Sequence, residues 1–170
     1  METIMNRETT CSFTGHRNIA LANIKNLEFS LETAVSALID QGFTEFFSGG
    51  ALGFDQLAAR TVLKLKKNCP DVRLSMILPC KNQDKFWSAQ EKENYRELLF
   101  LSDKIVYTSE GYHKGCMQKR NRYLVDSAGC ILAYLNRTTG GTKYTVNYAE
   151  KTGVPVLFLE QNFPYQLSFL

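Results

Sequence analysis

Apolar positions along this chain fall into two alternating patterns. Short continuous apolar or β-prone runs cover residues 10–14, 43–47, 72–78, 104–108, 130–135 and 154–159, and each predicts a strand. Between them the apolar residues recur at three- and four-residue intervals, the period of one buried helix face. Leu27, Leu31, Ala34, Val35, Leu38 and Ile39 predict a helix closed by Gly42. Phe54, Leu57, Ala58, Thr61, Val62 and Leu65 predict a second, ended by Asn68 and Pro70. Residues 86–101 give a third, marked by Trp87, Tyr95, Leu98 and Leu99; residues 117–127 and 142–151 give two more. Residues 1–9 are polar and expected to fray, and the tail, 161–170, is apolar enough to pack on the body. Strands that are continuously apolar, each followed by a helix, are the pattern of a parallel sheet covered on both faces. The expected fold is α/β: one doubly wound, Rossmann-like domain over residues 1–170, with a mainly parallel sheet and helices on both faces. No repeat, linker or low-complexity block divides it.

Such sheets bind ligands beyond the carboxyl ends of their strands, where strand order reverses. Those ends carry the informative residues. The first strand runs into Thr14-Gly15-His16-Arg17, the second into Ser48-Gly49-Gly50-Ala51-Leu52-Gly53-Phe54-Asp55, the fourth into Thr108-Ser109-Glu110. The fifth runs into Thr138-Thr139-Gly140-Gly141-Thr142. Glycine turns that open helices expose backbone N–H groups at a positive dipole end, which suits phosphate. Ser48, Gly49, Gly50 and Gly53 form the strongest such turn. Arg17 offers a permanently charged fork for an anion, or a surface ion pair. His16 serves either as a hydrogen-bonding partner of a ligand or as a buried structural residue. Asp55 would repel phosphate and suit sugar hydroxyls, or simply complement the helix dipole. Arg120 shares a helix side with Met117 and Leu124, whereas Arg122 is offset and expected to be solvated. Tyr112, Tyr123, Tyr144 and Trp87 are either base-stacking or packing residues.

Composition narrows the field. The chain has 170 residues, 44% hydrophobic and 22% charged, with a net charge of +3. That is an ordinary globular make-up, and the mild charge does not call for nucleic acid or an acidic membrane. Its five cysteines (Cys11, Cys69, Cys80, Cys116 and Cys130) show no C-x-x-C spacing, so neither zinc nor a disulfide framework is indicated. With only His16 and His113, a histidine metal site is not expected. No signal peptide is read and no apolar run approaches a membrane span, so the expected location is the cytoplasm, with no membrane partner.

Phe13-Thr14-Gly15-His16-Arg17, the segment from Ser48 to Ala58, and Gly140-Gly141-Thr142 together resemble the YpsA-like branch of the SLOG superfamily. DprA and the LOG phosphoribohydrolases belong to the same superfamily. The resemblance spans nearly the whole chain and implies a Rossmann-like fold with a pocket for nucleotides or nucleotide-derived ligands. The LOG enzymes cleave nucleoside monophosphates, using a helix motif and a glycine motif. Met117-Gln118-Lys119-Arg120-Asn121 looks like the first, with Arg120 on its arginine. Thr139-Gly140-Gly141 begins like the second, but its third glycine is Lys143 and its catalytic glutamate is Asn147. Asn147 cannot act as a base, and Glu150 is poorly placed to replace it.

The expected function is therefore binding of a nucleotide-type small molecule, as sensor or signalling component, without a required cofactor. The pocket residues would be Gly15, His16, Arg17, Ser48, Gly49, Gly50, Gly53, Asp55, Arg120, Gly140, Gly141 and Thr142. The alternative is a LOG-like N-glycosidase with Arg120 and Asp55 as catalytic candidates. The third is a DprA-like nucleic-acid protein, against which the lack of an evident basic groove argues. A homo-oligomer is left open.

Overall fold

The computed structural model describes residues 6–159. In chain order its elements are β1 (Thr10–Gly15), α1 (Leu21–Asp40), β2 (Glu45–Ser48), α2 (Phe54–Lys66), β3 (Arg73–Leu78), α3 (Ala89–Leu101), β4 (Lys104–Tyr107), α4 (Cys116–Asp126), β5 (Cys130–Tyr134), α5 (Gly141–Thr152) and β6 (Val156–Phe158). The strands form one sheet in the order β4-β3-β2-β1-β5-β6. Every pairing is parallel. This is the α/β, Rossmann-like architecture read from the alternating pattern.

Strand side chains point alternately to the two faces, so each strand feeds two cores. Cys11, Phe13, Phe46, Leu74, Met76, Leu78, Leu132 and Tyr134 face one side, where Leu27, Leu31 and Val35 of α1, Ala58 and Val62 of α2, and Leu98 of α3 cover them. The residues between them face the other side. There Ile131 and Ala133 meet Val125 of α4 with Val146 and Ala149 of α5. Phe47 and Ile77 meet Leu124. Three helices thus cover one face and two the other. Ser12, buried in β1, donates its hydroxyl to the Leu124 carbonyl at 2.7 Å and so ties α4 to the sheet centre.

Several boundaries differ from the sequence reading. α1 begins at Leu21, ahead of the first buried residue, Leu27; its first turns bury little, so periodicity does not mark them. α3 begins only at Ala89, because Ser88 caps it. The Ser88 hydroxyl accepts from the Glu91 N–H, and the Glu91 carboxylate accepts from the Ser88 N–H. Residues 6–9, expected to fray, instead hold a 3₁₀ turn (Arg7–Thr9). Asn6 caps it through the Glu8 N–H, and Arg7 donates from Nε to the Ala128 carbonyl at 3.0 Å. Residues 1–5 and the tail 161–170 lie outside the described residues.

Candidate functional site

Strand order runs outward from β1 to β4, then returns across β1 to β5. The reversal between β1 and β5 parts the connections on either side and opens a crevice at their carboxyl ends. A cleft of about 420 Å³ lies there. The end of β1 and its loop supply Phe13, Thr14, Gly15, His16, Arg17 and Asn18. α4 supplies Met117, Gln118, Arg120, Asn121 and Leu124, and the loop into α5 supplies Arg137, Thr139, Gly140, Gly141 and Thr142. Ala51 and Asp55 reach it from the glycine turn.

Two charged side chains form the floor. Arg120 is 4% exposed and Asp55 is 7% exposed. Arg120 donates from Nη1 to the Gly49 carbonyl at 2.6 Å and to the Ile77 carbonyl at 3.4 Å, and from Nε to Asn121 Oδ1 at 2.9 Å. Asp55 Oδ2 accepts from the Ala51 N–H at 3.3 Å. The two do not form a direct ion pair. They flank Gly49: a Cβ built there would stand 2.7 Å from Arg120 Nη1 and 2.8 Å from Asp55 Oδ2. Only glycine leaves that space. Burial pushes the Asp55 carboxyl up to about 6, against the opposing pull of Arg120. Burial likewise lowers the affinity of Arg120 for its proton, and Asp55 works against that.

The glycine turn itself holds this pair in place and is largely closed to a ligand. Ser48 is fully buried; its hydroxyl donates to the Asp55 carbonyl at 2.8 Å and accepts from the Gly50 N–H at 3.3 Å. Gln56 donates to the Gly50 carbonyl at 3.2 Å. At Gly53, with φ of 81°, an added Cβ would stand 2.1 Å from the Arg17 carbonyl oxygen. The Phe54 N–H at the start of α2 donates to the His16 carbonyl. Ser48, Gly49, Gly50 and Gly53 are not among the residues that line the cleft. The reason is local competition: the Ser48 hydroxyl, the Asp55 carboxylate and the His16 carbonyl take up the N–H groups of Gly50, Ala51 and Phe54 that a phosphate would use.

The N-terminus of α5 opens on the cleft. Gly140 is its cap and provides no side-chain hydrogen bond. The N–H groups of Gly141, Thr142 and Lys143 have no acceptor among the described residues. Arg17 and Arg137 are exposed at the cleft mouth and make no hydrogen bond or ion pair among the described residues. His16 is buried, and its Nε2 accepts from the Asn136 N–H at 2.9 Å, which places the ring proton on Nδ1. Burial, then the charge of Arg137, lowers its pKa from the usual value. His16 is thus a structural residue that also borders the cleft.

Gly15, His16, Arg17, Asp55, Arg120, Gly140, Gly141 and Thr142 come together here. Asn18, Gln118, Asn121 and Arg137 join them without having been singled out as pocket residues, although each adjoins or lies within a stretch that was: Asn18 follows Arg17, Gln118 and Asn121 flank Arg120, and Arg137 borders the second glycine loop. None of the four candidate stacking aromatics lines the cleft. Trp87 packs edge-on against Tyr95, with centroids 5.0 Å apart. Tyr144 accepts from Arg122 at 2.9 Å, so Arg122 is held where it was expected to be solvated. Asn147 and Glu150 are exposed on α5, away from the cleft. Among the described residues no three histidine, cysteine or acidic groups cluster as a metal site. No helix there is long and apolar enough to cross a membrane.

Residues 11–160 match the YpsA family model, described as the YspA SLOG family. The chain belongs to the YpsA family of SLOG proteins. Among its relatives is the uncharacterized SPbeta prophage-derived protein YoqJ of Bacillus subtilis, 33% identical over 157 residues, covering 81% of this chain and 92% of that one. Its fold is similar to that of DNA processing protein A from Helicobacter pylori, whose structure concerns single-stranded DNA binding. The TM-score is 0.64 at 17% identity, over 92% of this chain and 67% of that chain. It is also similar to TM1055, with a TM-score of 0.60 at 17% identity, over 95% and 81% of the two chains. At such identity the two structures speak for the fold alone.

Proposed function

We propose that the cleft between β1 and β5 binds a nucleotide or nucleotide-derived ligand, and that the protein acts as a sensor or signalling component. The observation that carries this reading is Arg120, a buried cation at the switch point whose Nη2 has no partner among the described residues. The unpaired N–H groups of α5 and the exposed Arg17 and Arg137 add donors and positive charge for phosphate. Half-buried Met117 offers apolar surface for a base, and the cleft volume of about 420 Å³ lies in the range of small-ligand sites. Five free thiols support a reducing, cytoplasmic setting.

The glycosidase reading is weaker on this geometry. Among the described residues Asp55 is the sole carboxylate lining the cleft, and the position matched to the LOG glutamate is exposed and does not line it. A nucleic-acid role draws on the fold shared with DNA processing protein A. The mild net charge of +3 and the carboxylate on the cleft floor speak against it.

Thermal melting with AMP, GMP, ADP, NAD and ADP-ribose tests the reading, with inorganic phosphate as control. At a ligand concentration of 100 times Kd, binding adds about 2.7 kcal/mol, a shift of roughly 5–10 °C for a chain of this size. Arg17→Ala and Arg137→Ala, both at exposed positions, are expected to weaken binding about tenfold each while leaving the unliganded melting point unchanged. No shift with any of these nucleotides would overturn the proposal.

A further inference from the structure

Arg120 and Asp55 present a donor and an acceptor side by side, unjoined and facing the same cleft. Asp55 Oδ2 is taken by the Ala51 N–H, and Arg120 Nη1 and Nε are taken by Gly49, Ile77 and Asn121. Asp55 Oδ1 and Arg120 Nη2 have no hydrogen-bond partner among the described residues, yet neither atom is sealed from the cleft. Both side chains are more than nine-tenths buried. A carboxylate oxygen and a guanidinium N–H left open at the cleft are free to take a ligand donor and a ligand acceptor. The chemistry of the pair narrows what fits. A phosphate satisfies Arg120 but is repelled by Asp55, an amine does the reverse, and a single hydroxyl satisfies one of them. Two neighbouring hydroxyls satisfy both, one donating to Oδ1 and the other accepting from Nη2.

Position favours a sugar over a base edge. Asn121, which accepts from Arg120 Nε at 2.9 Å, has its Nδ2 only 3.7 Å from a Cβ built on Gly141. The guanidinium is thus one side-chain amide away from the open N-terminus of α5. In a nucleotide the ribose hydroxyls stand one sugar ring from the 5′-phosphate, whereas the base edge lies farther out.

Resting on the cleft reading above, we infer that Asp55 and Arg120 hold the 2′,3′-diol of a ribose while the phosphate sits at the start of α5, so that the site selects ribonucleotides over 2′-deoxyribonucleotides. A ligand lacking the 2′-hydroxyl forfeits one hydrogen bond to a charged group that the bound ligand covers, which corresponds to roughly a tenfold to hundredfold loss of affinity.

The test is calorimetric titration of the full chain with AMP, GMP, CMP and UMP, each beside its 2′-deoxy counterpart, and with ADP-ribose. The expected result is that each ribonucleotide that binds does so at least about tenfold more tightly than its deoxy form. In Asp55→Ala that ratio falls to within about threefold; should this variant fold poorly by its own melting curve, Asp55→Asn supplies the comparison, with the ratio reduced. Equal binding of the two sugar forms would overturn the diol assignment while leaving the cleft as a nucleotide site. Selection by base with no sugar preference would overturn it in favour of a base edge. Binding of none of these ligands would sink both.

Discussion

At the scale of single residues, function and stability pull in opposite directions at Asp55. Its carboxyl is raised from 3.8 to about 6, chiefly by burial. The unfolded chain releases this proton near pH 3.8, but the folded protein holds it until about pH 6. The folded state therefore binds more protons in that window, and stability falls as pH rises through it. Above about pH 6 the loss is complete and amounts to about 3 kcal/mol. Asp55→Asn, which resembles the protonated acid, is expected to be more stable than the parent by up to that amount at pH 8. The advantage shrinks as pH falls below 6 and vanishes near 3.8. Urea titrations of both proteins from pH 4 to 8 measure it; equal stabilities at pH 8 would contradict the burial argument. A variant that is more stable and yet binds less well is the mark of a residue kept for its site.

At the scale of elements, what the sequence allows to be read depends on how far the decisive contacts reach. Helix faces and strands were legible because they repeat over local intervals. The turn from Ser48 to Asp55 was legible as a glycine turn opening a helix, but not in its role. Whether its N–H groups meet a ligand or the protein depends on where the acceptors of Ser48, Asp55 and His16 fold back, and no pattern encodes that. Arg120 and Asp55 were found because each stands at a marked place, one on an inward helix side and one in a first turn. Their approach across Gly49 joins α4 to α2, a contact of long sequence separation. The same limit governs α5. Motif counting puts Asn147 at a catalytic position, whereas the helix begins at Gly141 and carries Asn147 on its exposed side. A carboxylate placed there points to solvent and cannot reach a sugar in the cleft. Asn147→Glu is therefore expected to give no release of free base from AMP, GMP, CMP or IMP, with stability within about 0.5 kcal/mol of the parent. Chromatography of the products after long incubation checks this. Clear base release in the variant alone would mean that α5 sits differently when ligand is bound.

At the scale of the whole molecule, the cleft exists because the strand order reverses between β1 and β5, and His16 fastens the two sides of that reversal. Its loop follows β1; its Nε2 accepts from the Asn136 N–H, in the loop that follows β5. The ring also packs edge-on against Tyr134, with centroids 6.2 Å apart. The bond requires a neutral imidazole, since a protonated ring has no acceptor to offer. Burial, with the nearby charge of Arg137, lowers the folded pKa below the usual 6.5. The unfolded chain therefore takes up this proton first as pH falls, and the stability that His16 contributes is lost as pH drops from about 6.5 through the folded value. His16→Phe keeps a ring against Tyr134 but removes the acceptor of the exposed Asn136 N–H, a cost of about 0.5–1.5 kcal/mol at pH 8. The difference between parent and variant should then narrow as the solution is acidified to pH 5. Asp55 titrates in an overlapping range with the opposite sign, but both proteins keep it, so its contribution cancels in the comparison. Urea unfolding of the pair at pH 8, 7, 6 and 5 gives the difference directly. A gap that stays constant across that range would mean that His16 fills space without fastening the strands through Asn136.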